Sequence, residues 1–235
     1  MPVFNEAQTL RKCIDRILSV TLEHSWSTHI ILIDDGSDVA TQSAAATIAD
    51  HCKESLTLLR HQVNRGKGAA LQTGFAHAAS ISKDRHDAII IQDADLEYDP
   101  QDFNTLLRAM KTHSANCAVF GNRWHAGSVQ SGLRGWMHMR TNRLLTAASN
   151  LATGLRVTDM ECCYKLLPID ALRTIMPSLT EQRFGIEPQI AAALATAGII
   201  VIEVPVAYAP RSLREGKKIG PIDGLRALWV IFRDR

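Results

Sequence analysis

Nothing in this 235-residue sequence is spaced for a disulfide framework or a zinc site. Its five cysteines, Cys13, Cys52, Cys117 and the adjacent Cys162 and Cys163, are odd in number and form no Cys-x-x-Cys pair, the spacing such chemistry uses. A reducing compartment follows, with the two vicinal cysteines read as core residues. The nine histidines are scattered without a ligand spacing, so none is a candidate catalyst. A long hydrophobic run is also lacking: residues 190–209 are broken by Thr196, Gly198, Glu203 and Pro205, whereas a membrane-spanning helix needs about 20 apolar residues. The start, Met1-Pro2-Val3-Phe4-Asn5-Glu6, has neither the basic region nor the apolar core of a signal peptide. Membrane contact is therefore expected to be peripheral or through a membrane-protein partner. Charge of one sign is not in excess, with 26 basic against 24 acidic residues and no long block, which argues against nucleic acid as a partner. Internal repeats and low-complexity segments are absent.

What is present is the composition of an ordinary globular domain, 46% hydrophobic and 21% charged, and residues 1–235 are read as one α/β domain. Apolar runs alternate with amphipathic stretches as a mostly parallel sheet flanked by helices requires. Strands are expected at residues 29–33, 56–60, 88–91, 117–121 and 199–205. Helices are expected at 10–22, 41–53, 68–80, 141–153, 184–197 and from about 222. Ligands of such sheets sit beyond the carboxyl ends of the strands. Two of the strands end in acid pairs, at Asp34-Asp35 and at Asp93-Ala94-Asp95.

Asp93 and Asp95 flank one small residue, Ala94, at the mouth of an apolar strand, so two hard oxygen donors can reach a common point. That donor type suits Mg²⁺ or Mn²⁺, with Glu97 able to add a third ligand. Asp34-Asp35-Gly36-Ser37 could accept hydrogen bonds from a nucleobase or ribose, although the same residues make an ordinary strand-ending turn. Asn64-Arg65-Gly66-Lys67-Gly68 precedes a helix but lacks the Gly-Lys-Ser/Thr of a Walker loop, and it reads as a structural turn packed near the ligand. Arg123, Arg211, Lys217 and Lys218 are cations that could neutralise phosphates. Glu187 falls in the first turn of a helix, where an acidic side chain is favourable in any case.

Taken in order, Pro2-Val3-Phe4-Asn5-Glu6, Asp34-Asp35-Gly36-Ser37, Asn64 with Gly66 and Gly68, Asp93-Ala94-Asp95-Leu96-Glu97 and Gly121-Asn122-Arg123 resemble the family-2 glycosyltransferases of the GT-A fold. Asp159-Met160-Glu161-Cys162-Cys163-Tyr164-Lys165, Glu203-Val204-Pro205 with Tyr208, and Arg211 followed by residues 215–219 look like the dolichyl- or polyprenyl-phosphate mannose and glucose synthase branch. The resemblance implies that residues 1–125 form a nucleotide-sugar-binding half. Residues 126–235 would form an acceptor-binding half with a basic loop and an amphipathic last helix. It further implies that Pro2, Phe4, Glu6, Ile33 and Asp35 hold the nucleoside, that Asp93, Ala94 and Asp95 line the sugar-nucleotide site, and that Asp93, Asp95 and Glu97 bind the metal. Arg123, Arg140, Arg211 and Lys218 would grip phosphates, with Asp95, Arg123 and Arg211 closest to catalysis. The family carries an apolar strand ahead of Pro2, and here that first strand is nearly missing, which would expose ladder groups and remove core burial. The family also often carries C-terminal membrane helices; this chain ends on a helix bearing Leu225, Leu228, Trp229, Ile231 and Phe232 beside Arg226, Arg233 and Arg235. That helix suits either an interfacial anchor or packing on the domain.

The resemblance thus implies an inverting, metal-dependent hexosyltransferase. It would move mannose or glucose from GDP-mannose or UDP-glucose to a polyprenyl phosphate, peripherally on the cytoplasmic face of a membrane. A polysaccharide or other non-lipid acceptor, a truncated and inactive nucleotide-sugar-binding protein, and a nucleotidyltransferase are the competing readings.

Overall fold

The structure is a computed structural model that describes residues 1–23, 26–113, 117–124, 133–211 and 221–233. Strand β1 (Pro2–Val3) is two residues long. It is followed by α1 (Leu10–Leu18), β2 (Ile30–Asp35), α2 (Val39–His51), β3 (Leu56–His61), α3 (Lys67–Ile81) and β4 (Ala88–Ile90). Next come α4 (Phe103–His113), β5 (Cys117–Asn122), α5 (Leu133–Thr153), β6 (Lys165–Pro168), α6 (Ile169–Ile175), α7 (Ile186–Thr196), β7 (Ile200–Pro205) and α8 (Pro221–Arg233).

The strands form two sheets among the described residues. One is wholly parallel in the order β1-β2-β3, and the other is mixed in the order β4-β6-β5-β7. Strand β6 runs antiparallel to both β4 and β5, while β5 and β7 are parallel. The sequence pattern does not announce β6: all four of its residues are buried, so it shows no alternation, and α6 begins at the next residue. The expected strands are all present, with the first as short as anticipated, and α4 and α6 are added to the expected helices.

Local chemistry accounts for the element boundaries. Helix α1 turns Leu10, Cys13, Ile14 and Ile17 to the core, the spacing of three and four residues that gathers one helical face. Helix α2 starts where the Asp38 carboxylate accepts the Thr41 N–H at 2.8 Å, an N-cap worth about 1 kcal/mol. Buried apolar residues from Val3 to Ile231 form one continuous cluster, in which Cys162, Cys163 and Tyr164 are almost fully enclosed. Each fully buried aliphatic or aromatic side chain of that kind contributes roughly 1.5–3 kcal/mol. The result brings the carboxyl ends of β1, β2 and β5, the Asp93–Asp95 segment after β4 and the segment leading into β6 to one side of the molecule.

Candidate active site

The cleft on that side has a volume of about 330 Å³. Pro2, Phe4 and Glu6 reach it from the end of β1, and Asp35 from the end of β2. Asp93, Ala94, Asp95 and Glu97 reach it beyond β4, with Arg123 after β5 and Arg211 after β7. These are most of the expected site residues. Ile33 is elsewhere, buried and lining a separate apolar cleft. Arg140 is exposed on α5 and does not line the cleft. Lys217 and Lys218 lie outside the described residues.

The Asp35 carboxylate, 2% exposed for the residue, is occupied in holding the neighbouring turn. It accepts from the Arg65 N–H at 3.0 Å and the Gly66 N–H at 2.7 Å, and His61 Nδ1 lies 2.6 Å away. Gly66 has φ +101°, the left-handed region that glycine enters at no steric cost. This turn delivers Lys67, the first residue of α3, into the cleft. Its ammonium lies 2.9 Å from Asp93 Oδ2 and 2.9 Å from Glu187 Oε1. Burial acts to lower that ammonium, but Asp93 and Glu187 among its neighbours hold it well above the ordinary lysine value. Burial likewise acts to raise Asp93, and Lys67 overrides it, leaving the carboxyl below its usual range.

Among the described residues Asp95 has no such partner. Burial first, then the Asp93 and Glu97 carboxylates, push it up to about 7. Its Oδ1 accepts only the Glu97 N–H at 3.1 Å in the immediate turn. Glu97 is turned to other work, accepting the Tyr208 hydroxyl at 3.1 Å and the Arg211 N–H at 2.8 Å. Among the described residues no three histidine, cysteine or acidic side chains converge on one point as a cation cage. Asp93 and Asp95 still fit a divalent ion completed by ligand oxygens, because both are hard carboxylate donors that line the open cleft within two residues of each other.

The cations are fixed by acids. Arg123 is 5% exposed and meets Asp159 through Nε at 2.7 Å and Nη2 at 2.6 Å. Its guanidinium also lies 5.1 Å from the ring centres of Trp124 and Tyr208. Arg211 grips Glu6 at 3.1 and 2.8 Å and donates through Nε to the Asp95 carbonyl at 2.7 Å. It thereby ties the segment after β7 to the segment after β1, across the acidic pair. Beneath the cleft, the fully buried Lys165 reaches Glu187 at 2.5 Å and the Cys162 carbonyl at 2.5 Å.

Sequence reasoning did not assign Lys67, Asp159, Glu161 or Lys165 to this network. Lys67 stood in a turn whose glycines drew attention to the backbone. Asp159 and Lys165 stood in the second-half motif, but only the fold reveals that they neutralise Arg123 and Glu187.

A family model described as glycosyl transferase family 2 matches residues 1–176. An undecaprenyl-phosphate mannosyltransferase of Micrococcus luteus is 25% identical over 229 residues, covering 95% of this chain and 88% of that protein. A dolichyl-phosphate beta-glucosyltransferase of Trichomonas vaginalis is 25% identical over 219 residues, covering 88% of this chain; the chain spans 64% of that relative's length. Among solved structures, glucosyl-3-phosphoglycerate synthase of Mycobacterium tuberculosis, in complex with Mn²⁺, UDP-glucose and glycerol 3-phosphate, superposes with a TM-score of 0.67 at 18% identity. That match covers 99% of this chain and 77% of the synthase, and it establishes the expected GT-A-like fold.

Proposed function

The chain belongs to glycosyl transferase family 2, and on that premise we propose that its cleft moves a hexose from GDP-mannose or UDP-glucose to the phosphate of a polyprenyl lipid, with inversion. The observation that carries this reading is the acidic pair Asp93 and Asp95 at the open end of β4, lining one cleft together with Arg123 and Arg211. Asp93 and Asp95 would hold Mg²⁺ or Mn²⁺. Bound there, the ion would stabilise the negative charge that develops on the leaving diphosphate.

The chain's own residues supply the positioning. Pro2, Phe4, Glu6 and Asp35 border the nucleoside side of the cleft, while Arg123 and Arg211 present cationic groups toward the phosphates. Lys67 balances Asp93, so the acidic floor can coexist with an anionic ligand. An oxygen of the acceptor phosphate attacks the anomeric carbon as that carbon's bond to the diphosphate oxygen breaks. The bonding electron pair leaves with the nucleoside diphosphate. A phosphate is ionised near neutral pH, so the step needs no strong general base.

The lipid acceptor is supported by the activities of the two relatives named above and by the apolar exterior. Helices α5 and α8 pack on each other, and each keeps large side chains in solvent: Leu144 and Leu151 on α5, Trp229 and Phe232 on α8. Ala227, Val230 and Ile231 of α8 are buried, so that helix both packs on the protein and offers an apolar outer face. No helix among the described residues is long and apolar enough to cross a membrane. Peripheral work on the cytoplasmic face of a membrane fits these features.

A second reading, transfer to a hydroxyl, is favoured by one observation. Glu161 lines the cleft with a carboxyl raised to about 7 by burial and by Glu187, which suits a general base. Transfer from each radiolabelled donor with Mn²⁺ should be followed with polyprenyl phosphate and with a soluble hydroxyl acceptor. Label extracted into organic solvent, dependent on the lipid phosphate, is the expected result. Label transferred only to the soluble acceptor would overturn the lipid assignment in favour of the second reading.

A further inference from the structure

Most carboxylates around the larger cleft are engaged by the fold itself. Glu6 and Glu97 hold Arg211, Asp35 holds the turn before α3, and Asp93 and Glu187 share the Lys67 ammonium. Asp95 is left open for the proposed metal. Glu161 is also left open, and transfer to a phosphate gives it no task, because that step needs no strong general base.

The segment that carries Glu161 is held on both sides. Asp159 is paired with Arg123, and the Cys162 carbonyl accepts the Lys165 ammonium. Between them Glu161 lines the cleft and keeps part of its surface open to it. Its Oε1 is enclosed and has no hydrogen-bond partner among the described residues. A buried polar oxygen that the fold leaves unmatched calls for a partner from a ligand. An anion is disfavoured at this point, because burial and the Glu187 carboxylate already act against negative charge. A further cation is not needed, because Lys165 and Arg123 already act on the carboxyl. A neutral hydroxyl suits it in either state: it donates to the carboxylate and accepts from the protonated acid. Phe184, half-buried just before α7, adds an aromatic face to the same cleft. A hydroxyl partner beside an apolar face is the chemistry that seats a sugar ring. The nucleoside side of the cleft belongs to the ends of β1 and β2, whereas Glu161 leads into β6 of the other sheet.

We propose that Glu161 is a specificity-determining residue of this cleft, its carboxyl hydrogen-bonded to a hydroxyl of the hexose carried by the nucleotide sugar, with the sugar ring against Phe184. The inference rests on the donor reading given above and deepens it. Glu187 braces the position from α7, since it shares Lys67 with Asp93 and so ties the hexose wall to the acid pair. A hexose whose hydroxyl misses Glu161 would leave Oε1 buried and unmatched, which is how such a contact discriminates between donors.

The test separates the hexose from the rest of the donor. Calorimetry in Mn²⁺ compares UDP with UDP-glucose, and GDP with GDP-mannose, on the parent chain, Glu161→Gln and Glu161→Leu. For the pair that binds, Glu161→Leu is expected to weaken the sugar nucleotide at least about tenfold more than the bare nucleotide. Glu161→Gln, whose amide both donates and accepts, should weaken it less than about threefold. Equal weakening of both ligands by Glu161→Leu would overturn the proposal, because a residue that only supports the fold does not distinguish them. Unchanged affinities with a loss confined to turnover would also overturn it, in favour of a general base. A second readout needs no leucine variant: the Glu161 carboxyl carbon resonance, identified by its absence from Glu161→Gln, should take a different position with the sugar nucleotide than with the bare nucleotide. The same position with both would overturn the proposal. Failure of the parent to bind either nucleotide would remove the donor reading itself, and this inference with it.

Discussion

At the scale of the residue, the cleft is organised by neutralised charge. Arg123 is enclosed and matched by a bidentate carboxylate from Asp159, because a guanidinium without a partner at that depth would be costly to desolvate. Asp159 in turn is seated by its own N–H on Glu203 at 2.8 Å. Glu161 departs from this, as Asp95 does, with Oε1 buried and lacking a hydrogen-bond partner among the described residues. Its carboxyl is raised from 4.5 to about 7, by burial first and then by Glu187, against the opposing pull of Lys165 and Arg123. The folded state therefore holds a proton that the unfolded chain has released between pH 4.5 and 7. This contribution to stability is full below pH 4.5 and lost as pH rises through about 7. The Met1 amino group, lowered from 8.0 to about 6, works in the opposite direction between pH 6 and 8. Glu161→Gln retains Met1, so comparing it with the parent isolates the glutamate. Between pH 5 and 8 the parent should lose at least about 3 °C more in melting temperature than the variant. Identical losses would contradict a buried, protonated Glu161.

At the scale of the element, the turn before α3 joins the two halves of the cleft. Gly68 lies against the segment before α7: a Cβ there would stand 2.1 Å from the Glu181 carbonyl oxygen and 2.8 Å from the Gln182 carbonyl carbon. Both are backbone atoms and cannot swing aside. Gly68→Ala is expected to cost about 1–3 kcal/mol, read as a lower denaturation midpoint; an unchanged midpoint would show that this contact is loose. The sequence exposed this turn as glycine-rich, but the reason for Gly68 lies more than a hundred residues away and has no local signal. The same holds for β6. Strands β2, β3, β5 and β7 were legible because apolar runs end in turn residues, whereas β6 is short, buried on both faces and fused to a helix. The acid pair beyond β4 was legible because its position after an apolar strand is itself informative. Lys67 was not, since nothing local distinguishes a lysine entering a cleft from one facing solvent. Glu97 was expected as a third ligand beside Asp93 and Asp95 from its place in the segment and from the family resemblance; the fold engages its carboxylate with Tyr208 and the Arg211 backbone.

At the scale of the whole molecule, membership of glycosyl transferase family 2 and the GT-A-like fold go with an open cleft beyond the carboxyl ends of the strands, the place where we propose that donor and acceptor meet. Arg211, bound to Glu6 and to the Asp95 carbonyl, links the end of the parallel sheet to the end of the mixed one across that cleft. The exposed apolar side chains of α5 and α8 would suit the proposed lipid acceptor. The central claim is that Asp93 and Asp95 hold a divalent ion through which a nucleoside diphosphate is bound. Calorimetric titration of UDP and of GDP, with Mn²⁺ and with chelator, into the parent chain and into Asp93→Asn and Asp95→Asn variants tests it most directly. One nucleotide should bind the parent in Mn²⁺, and its affinity should fall at least about tenfold with chelator or with either substitution. Equal affinity with and without Mn²⁺, or undiminished Mn²⁺-dependent binding in both variants, would contradict the claim.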